Sequence, residues 1–102
     1  MYKIKDIRYK DTNETRTDGR YPLRIGSTID FFTYEPTINQ CAYLSYVYDN
    51  QGNNKEGTLR TSFITEIFED DNELILTTNN SIYILEKIKN ENWINEIGKK
   101  GG

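Results

Sequence analysis

The stretch GTLRTSFITEIFEDDNELILTTNNSIYILE, residues 57–86, decides the fold. β-Branched and aromatic residues dominate it, and their stiff side chains suit the pleated surface of a sheet. Two groups of turn-forming residues, Asp70-Asp71-Asn72 and Asn79-Asn80, divide it into three segments. Aspartate and asparagine bond their own backbone, and asparagine tolerates the positive φ that a tight hairpin needs. The stretch therefore predicts a meander of three consecutive antiparallel strands.

Partner strands must come from elsewhere in the chain, because two or three strands alone are marginally stable. Apolar and aromatic residues predict them at Tyr2–Tyr9, Ser27–Tyr34 and Cys41–Tyr48. The alternation in the first of these shifts by one position near Asp6, which predicts a β-bulge. Residues 21–26 are predicted as a short extended piece, which Pro22 confines to an edge or a strand start.

Toward the carboxyl terminus the spacing of apolar residues changes to that of a helix. Asn90 is placed to cap it, and Trp93 and Ile97 lie on one face. Gly98 is placed to end it. The predicted fold is thus mainly β: a small bent antiparallel sheet or SH3-like β-barrel of about six short strands, with a short C-terminal helix.

Size and composition fit one small domain, which we assign to residues 1–98, with 99–102 as a frayed tail. The net charge of −3 and a pI near 4.9 argue against a general nucleic-acid binder, which has a basic footprint. Cys41 is the single cysteine, so no intramolecular disulfide forms. No apolar run approaches the ~20 residues that span a bilayer, and we expect a cytoplasmic protein without membrane contact.

Catalytic chemistry finds little support in the residue types. The chain has no histidine, which removes the commonest general base and metal ligand. Cys41 lies in an apolar segment and is interpreted as an inert, buried thiol. The carboxylates of residues 69–73 lack the ligand spacing and the glycine of a calcium loop. We therefore predict a non-enzymatic protein with no cofactor and no metal ion.

Hydroxyl, amide and guanidinium groups form a candidate binding set. If the meander folds as predicted, Thr61-Ser62 and Thr77-Thr78 lie close together on neighbouring strands. The planar fork of arginine matches phosphate geometry, so nearby arginines would complete a pocket for a small anion. The alternative is that threonines stabilise strands, asparagines form turns and arginines face water. The predicted ligand-binding residues are Arg20, Arg24, Arg60, Thr61, Ser62, Thr77, Thr78 and Asn80.

The eight tyrosines are a second candidate feature. Their amphipathic rings suit interfaces and stacking on bases, although packing in the core and at the barrel rim also accounts for them. Both faces of the segment 41–48 are apolar or aromatic, so one face needs cover, and a homo-oligomer is the simplest cover. The predicted interface residues are Tyr43, Tyr46, Tyr48 and Trp93.

Three short elements carry a resemblance to a class of proteins. Arg24-Ile25-Gly26-Ser27, Leu59–Ile67 and Thr78–Tyr83 resemble small single-domain β-proteins of uncertain function that phages and mobile elements of AT-rich bacteria encode. The resemblance implies a small β-protein of phage or mobile-element origin and supplies no catalytic residue.

Three functional hypotheses follow. The first is a non-enzymatic binding protein that sequesters or blocks a host or defence component, either a protein or a small phosphate-bearing ligand. The alternative is a nucleic-acid-binding β-barrel, in which exposed tyrosines stack on bases. The third is a structural subunit that assembles through its aromatic face. The phosphate contacts of the nucleic-acid alternative would be Lys3, Lys5, Arg8, Lys10 and Arg16.

Overall fold

Six antiparallel strands close into a barrel in a computed structural model, which describes residues 1–88. Each strand pairs with the next in the chain, and β6 pairs with β1 to complete the ring. The predicted mainly β barrel is confirmed, whereas the predicted helix after Asn90, Trp93 and the tail 99–102 lie outside the described residues. The strands are β1 Tyr2–Tyr9, β2 Thr28–Asp30, β3 Cys41–Tyr48, β4 Thr58–Glu69, β5 Glu73–Thr78 and β6 Ser81–Lys87.

The barrel interior is filled by side chains, as expected for a barrel of this small size. Successive residues of a strand point to opposite faces, so roughly every second side chain enters the core. All six strands contribute at least one side chain with no exposed surface: Ile4, Ile7, Ile29, Leu44, Ile64, Leu76 and Leu85. Among the described residues, no helix is long and apolar enough to cross a membrane.

Bulges bend the strands around this core. The pairing of β1 with β6 shifts between Ile4 and Asp6, which confirms the bulge predicted from the slipped alternation. Ile4 and Ile7 both reach the core although they are three positions apart, because the extra residue reverses the side-chain alternation. Further shifts occur between Cys41 and Tyr43 and between Ile64 and Glu66.

Two predictions about residues 21–34 are wrong. The residues Tyr21–Arg24 form a single helical turn, α1, rather than an extended piece. Pro22 is compatible with it because the first turn of a helix leaves backbone N–H groups without an intrahelical partner. The predicted strand Ser27–Tyr34 is shortened to β2 because Phe32 has a φ of 51°, which a strand does not accommodate.

The turn at Asn79-Asn80 lies where the sequence predicts it, but its chemistry differs. Neither asparagine has a positive φ. Instead, Thr78 Oγ1 accepts hydrogen bonds from the backbone N–H groups of Asn80 (3.3 Å) and Ser81 (3.0 Å). The same hydroxyl donates to the carbonyl oxygen of Ser81 at 3.1 Å. A buried threonine therefore closes the β5–β6 hairpin.

Candidate anion-binding site

Four cationic side chains line one open pocket of about 470 Å³, which we call the arginine pocket: Arg20, Arg24, Lys55 and Arg60. Arg20 precedes α1 and Arg24 ends it. Arg60 projects from β4, and Lys55 lies in the loop between β3 and β4. The three arginines that the sequence predicts for ligand binding thus surround a single pocket, although their binding role stays a prediction.

Backbone contacts hold these side chains in place. Gly26 N donates to Ile4 O at 2.7 Å, which attaches the end of α1 to the barrel wall. Lys55 N donates to Val47 O at 3.1 Å, which fixes the loop beside β3. α1 and the loop between β3 and β4, each attached to the barrel by a backbone hydrogen bond, therefore present cations from two sides of the pocket.

The charged groups that line the arginine pocket are all cations, and an acidic influence on them among residues 1–88 is Asp49, whose pKa is lowered first by a backbone hydrogen bond from Asn53 and also by the charge of Lys55. No carboxylate lines it, and none of its four cations forms an ion pair with a described residue. Like charges around one pocket repel one another, and a bound anion relieves that repulsion. Because the chain as a whole carries a net charge of −3, a pocket whose charged lining residues are all cations is not explained by composition.

Aromatic rings steady two of the cations without neutralising them. Lys55 Nζ lies 4.1 Å from the centroid of the Tyr46 ring, and the Arg24 guanidinium lies 5.0 Å from that of Tyr21. Such cation–π contacts leave the positive charge available. The Tyr46 hydroxyl is protonated at neutral pH, as tyrosine ordinarily is, and burial raises its pKa further, so it offers the pocket a hydrogen-bond donor.

Strand alternation separates Thr61 from the arginine pocket. Arg60 is exposed while Thr61 is 3 % exposed, because consecutive strand residues point to opposite faces. Thr61 Oγ1 accepts a hydrogen bond from Ala42 N at 2.9 Å and donates to Ser62 O at 2.7 Å. Its hydroxyl is therefore committed to the backbone of the barrel.

The expected meeting of Thr61-Ser62 with Thr77-Thr78 does not occur. Thr78 pairs with Ile64 and Thr77 with Glu66, because the second half of the twelve-residue β4 pairs with β5 and its first half with β3. Of the described residues predicted for ligand binding, the arginine pocket therefore lacks Thr61, Ser62, Thr77, Thr78 and Asn80.

A second open pocket, of about 600 Å³, adjoins the arginine pocket, and Thr58 lines both. We call it the aromatic groove. Phe32, Tyr34 and Tyr43 are 69, 70 and 44 % exposed. Its lining includes Phe32, Tyr34, Gln40, Tyr43, Ser45 and Thr58.

The predicted interface tyrosines of β3 are distributed over different surfaces. Tyr43 belongs to the aromatic groove, Tyr46 lines the arginine pocket, and Tyr48 is 39 % exposed outside both. Their participation in a homo-oligomer stays a prediction.

Several cations of the nucleic-acid alternative have partners in the structure. Lys5 pairs with Glu73 at 3.1 Å and Arg8 with Asp6 at 2.8 Å. The first pair is exposed and the second is partly buried, and both reduce the positive charge that β1 presents to a phosphate backbone.

Arg16, the last cation of that set, attaches the loop 11–20 to the barrel. Its guanidinium lies 4.0 Å from the centroid of the Tyr21 ring and donates to Ser81 Oγ at 2.6 Å. It also binds both carboxylate oxygens of Asp18, at 3.0 and 2.7 Å. These hydrogen bonds lower the pKa of Asp18 to about 2. Arg16 therefore has a structural role.

Sequence reasoning missed several residues of the two pockets, among them Lys55, Phe32 and Tyr34. Lys55 stands alone in a loop of polar residues, and its proximity to α1 depends on closure of the barrel. Phe32 reads as an ordinary strand residue, and nothing local signals its positive φ.

Neither a candidate metal site nor a buried thiol is found among the described residues. Within residues 1–88, no group of three or more histidine, cysteine, aspartate or glutamate side chains is arranged to hold a metal ion. Cys41, expected to be buried, is a partly exposed free thiol.

No protein-family model matches the chain, and no curated protein or solved structure is significantly similar to it. Function must therefore be argued from the geometry.

Proposed function

We propose that the chain is a non-enzymatic binding protein that holds a small phosphate-bearing ligand in the arginine pocket and thereby sequesters it. The observation that carries this proposal is that four cations, Arg20, Arg24, Lys55 and Arg60, line one pocket that no carboxylate lines. Arginine forks match phosphate oxygens in pairs, and lysine adds a point charge.

The expected strength follows from the number of contacts. A hydrogen bond to a charged group contributes about 1.5–3 kcal/mol, so three such contacts total roughly 5–9 kcal/mol. That range corresponds to a dissociation constant of about 0.2 mM to 0.2 μM. Ordering the long side chains reduces it, so a tighter ligand needs contacts beyond its phosphates.

Binding without turnover fits the chemistry of the pocket lining. The lining contains no carboxylate, histidine or cysteine to act as a general base or nucleophile. Tyr46 is its one hydroxyl with a shifted pKa, and that shift is upward, which makes the hydroxyl a weaker acid. Together with the resemblance to proteins of phages and mobile elements, this favours sequestration of a host or defence component.

The test is calorimetric titration with tripolyphosphate at low ionic strength. Arg60→Ala is expected to weaken binding at least tenfold, because it removes one of the four cations that line the pocket. Arg60 is exposed, so its loss leaves the core intact. Lys3→Ala is the matched control, since Lys3 is an exposed cation on β1 outside the pocket. Binding should also weaken as salt is added. Absence of binding, or equal losses in both variants, would show that the arginine pocket is not the site.

A further inference from the structure

We propose that the phosphate-bearing ligand is a nucleotide, with its phosphates in the arginine pocket and its base in the aromatic groove. This inference rests on the proposed function and names the ligand class of the same site. Its basis is the continuity of a cationic and an aromatic surface.

The sheet register shows that continuity directly. Tyr43 of β3 is the cross-strand partner of Arg60 of β4, and Ser45 is the partner of Thr58. Residues directly opposite in an antiparallel pair share a face, with Cβ atoms about 4.5–5.5 Å apart. Tyr43 in the groove is therefore the immediate neighbour of Arg60 in the pocket. A ligand that contacts both side chains must therefore carry an aromatic group and an anionic group close together.

The aromatic side of the site is built in advance. Phe31 lies in the core at 7 % exposure and packs edge-on against Tyr2, with ring centroids 5.3 Å apart. Asp30 Oδ1 accepts a hydrogen bond from Phe31 N at 2.8 Å, and Tyr34 N donates to Phe31 O at 3.1 Å. This anchored turn directs Phe32 and Tyr34 outward.

Phe32 carries backbone strain. Its φ of 51° is unusual for a bulky residue and costs free energy. The ring is 69 % exposed, so burial returns little of that cost. Strain of this kind concentrates at ligand-binding positions, and here it holds an exposed aromatic ring at the edge of the groove.

The positive charge of the adjoining arginine pocket indicates which kind of molecule occupies the groove. A purely apolar segment of a protein would leave the four neighbouring cations unpaired, whereas a base joined to phosphates satisfies both surfaces. The groove also offers polar groups for the edge of a base, among them Gln40, whose side-chain amide has no hydrogen bond within the described residues. Stacking of a base on an aromatic side chain contributes about 1–3 kcal/mol. A nucleotide should therefore bind about tenfold or more tightly than tripolyphosphate.

Calorimetric titration with tripolyphosphate and with each of the four ribonucleoside triphosphates tests the inference. At least one nucleotide should bind ten times more tightly than tripolyphosphate. Tyr43→Ala and Tyr34→Ala should each weaken nucleotide binding about tenfold and change tripolyphosphate affinity less than twofold. Tyr48→Ala is the matched control, because Tyr48 is an exposed tyrosine of the same strand outside the groove. Thermal melting confirms that the variants are folded, and the largely exposed Tyr34 keeps the test valid if Tyr43→Ala unfolds.

Each other outcome overturns a specific statement. If tripolyphosphate binds and no nucleotide binds more tightly, the base does not occupy the groove, while the proposed function stands. If neither binds, both the inference and the proposed function fail. If a ten-nucleotide single strand binds with steep salt dependence while mononucleotides do not, the ligand is nucleic acid and the inference is wrong.

Discussion

Replacement of Thr78 by valine is the sharpest test of how the β5–β6 hairpin is closed. Valine has nearly the same shape, so the change removes one hydroxyl without opening a cavity. Three hydrogen bonds disappear with it: those accepted from Asn80 N and Ser81 N, and the one donated to Ser81 O. Thr78 has no exposed surface and Ser81 is 1 % exposed, so water cannot easily replace the lost partners at Ser81.

The magnitude follows from these contacts. A buried polar group that loses its partner costs about 1–3 kcal/mol, and each further hydrogen bond contributes about 1 kcal/mol. Asn80 is exposed and can turn to water, and the new methyl group returns at most about 0.8 kcal/mol. We expect a net loss of about 2 kcal/mol in the free energy of unfolding, which is roughly 8–16 °C in melting temperature for a domain of this size.

Equilibrium urea unfolding measures the effect of Thr78→Val, and Thr78→Ser is the matched control. Serine keeps the hydroxyl and loses one methyl group, so it should cost no more than about 1 kcal/mol. A loss below about 0.5 kcal/mol for Thr78→Val would refute the reasoning, because it would place the hydroxyl in contact with solvent. The folded valine variant should bind tripolyphosphate as the parent does. Weaker binding would instead support the predicted ligand role of Thr78.

Two further predictions concern Phe32 and Asp18. Phe32→Asn should raise the free energy of unfolding, measured in urea, by about 1 kcal/mol, because asparagine tolerates a positive φ. The same variant should bind nucleotide more weakly. A loss of stability would show that the Phe32 ring packs against the barrel. The pKa of Asp18 is lowered from 3.8 to about 2 by Arg16, so its contribution to stability is complete above about pH 5 and is lost progressively as the pH falls from about 5 to 1. The difference in melting temperature between the parent and Asp18→Asn should therefore shrink over that range, and a constant difference would contradict the ion pair.

Local periodicity predicts much of the fold because a strand is recognised from neighbouring residues. The bounds of β3, Cys41–Tyr48, and the bulge between Ile4 and Asp6 both follow from alternation alone. The turn at Asp70 is equally local, since its carboxylate accepts hydrogen bonds from the next backbone N–H groups. Such features need no knowledge of the remainder of the chain.

The features that sequence reasoning missed depend on distant contacts. α1 forms where its end attaches to Ile4 of the barrel wall, and Lys55 enters the arginine pocket only once β3 and β4 are paired. The chemistry of the threonines predicts ligand contacts, but strand alternation and register place Thr61 and Thr78 in the interior. Their hydroxyls resemble ligand contacts in the sequence and bind backbone in the structure.

The unequal lengths of the strands have a consequence for which parts of the wall a bound molecule connects. β2 has three residues and pairs with β1 at only two positions, Tyr2 with Ile29 and Lys3 with Thr28. The ladder between neighbouring strands is shortest at this seam, and the bonds that Ile4 makes with Gly26 and Ser27 extend it beyond the first residue of β2. Phe32 and the aromatic groove follow β2 directly in the chain. The lining of the groove comes from the segment after β2 and from β3 and β4, with no residue of β1. A molecule seated in the groove therefore ties the end of β2 to β3 and β4 and leaves the contact between β1 and β2 unbridged.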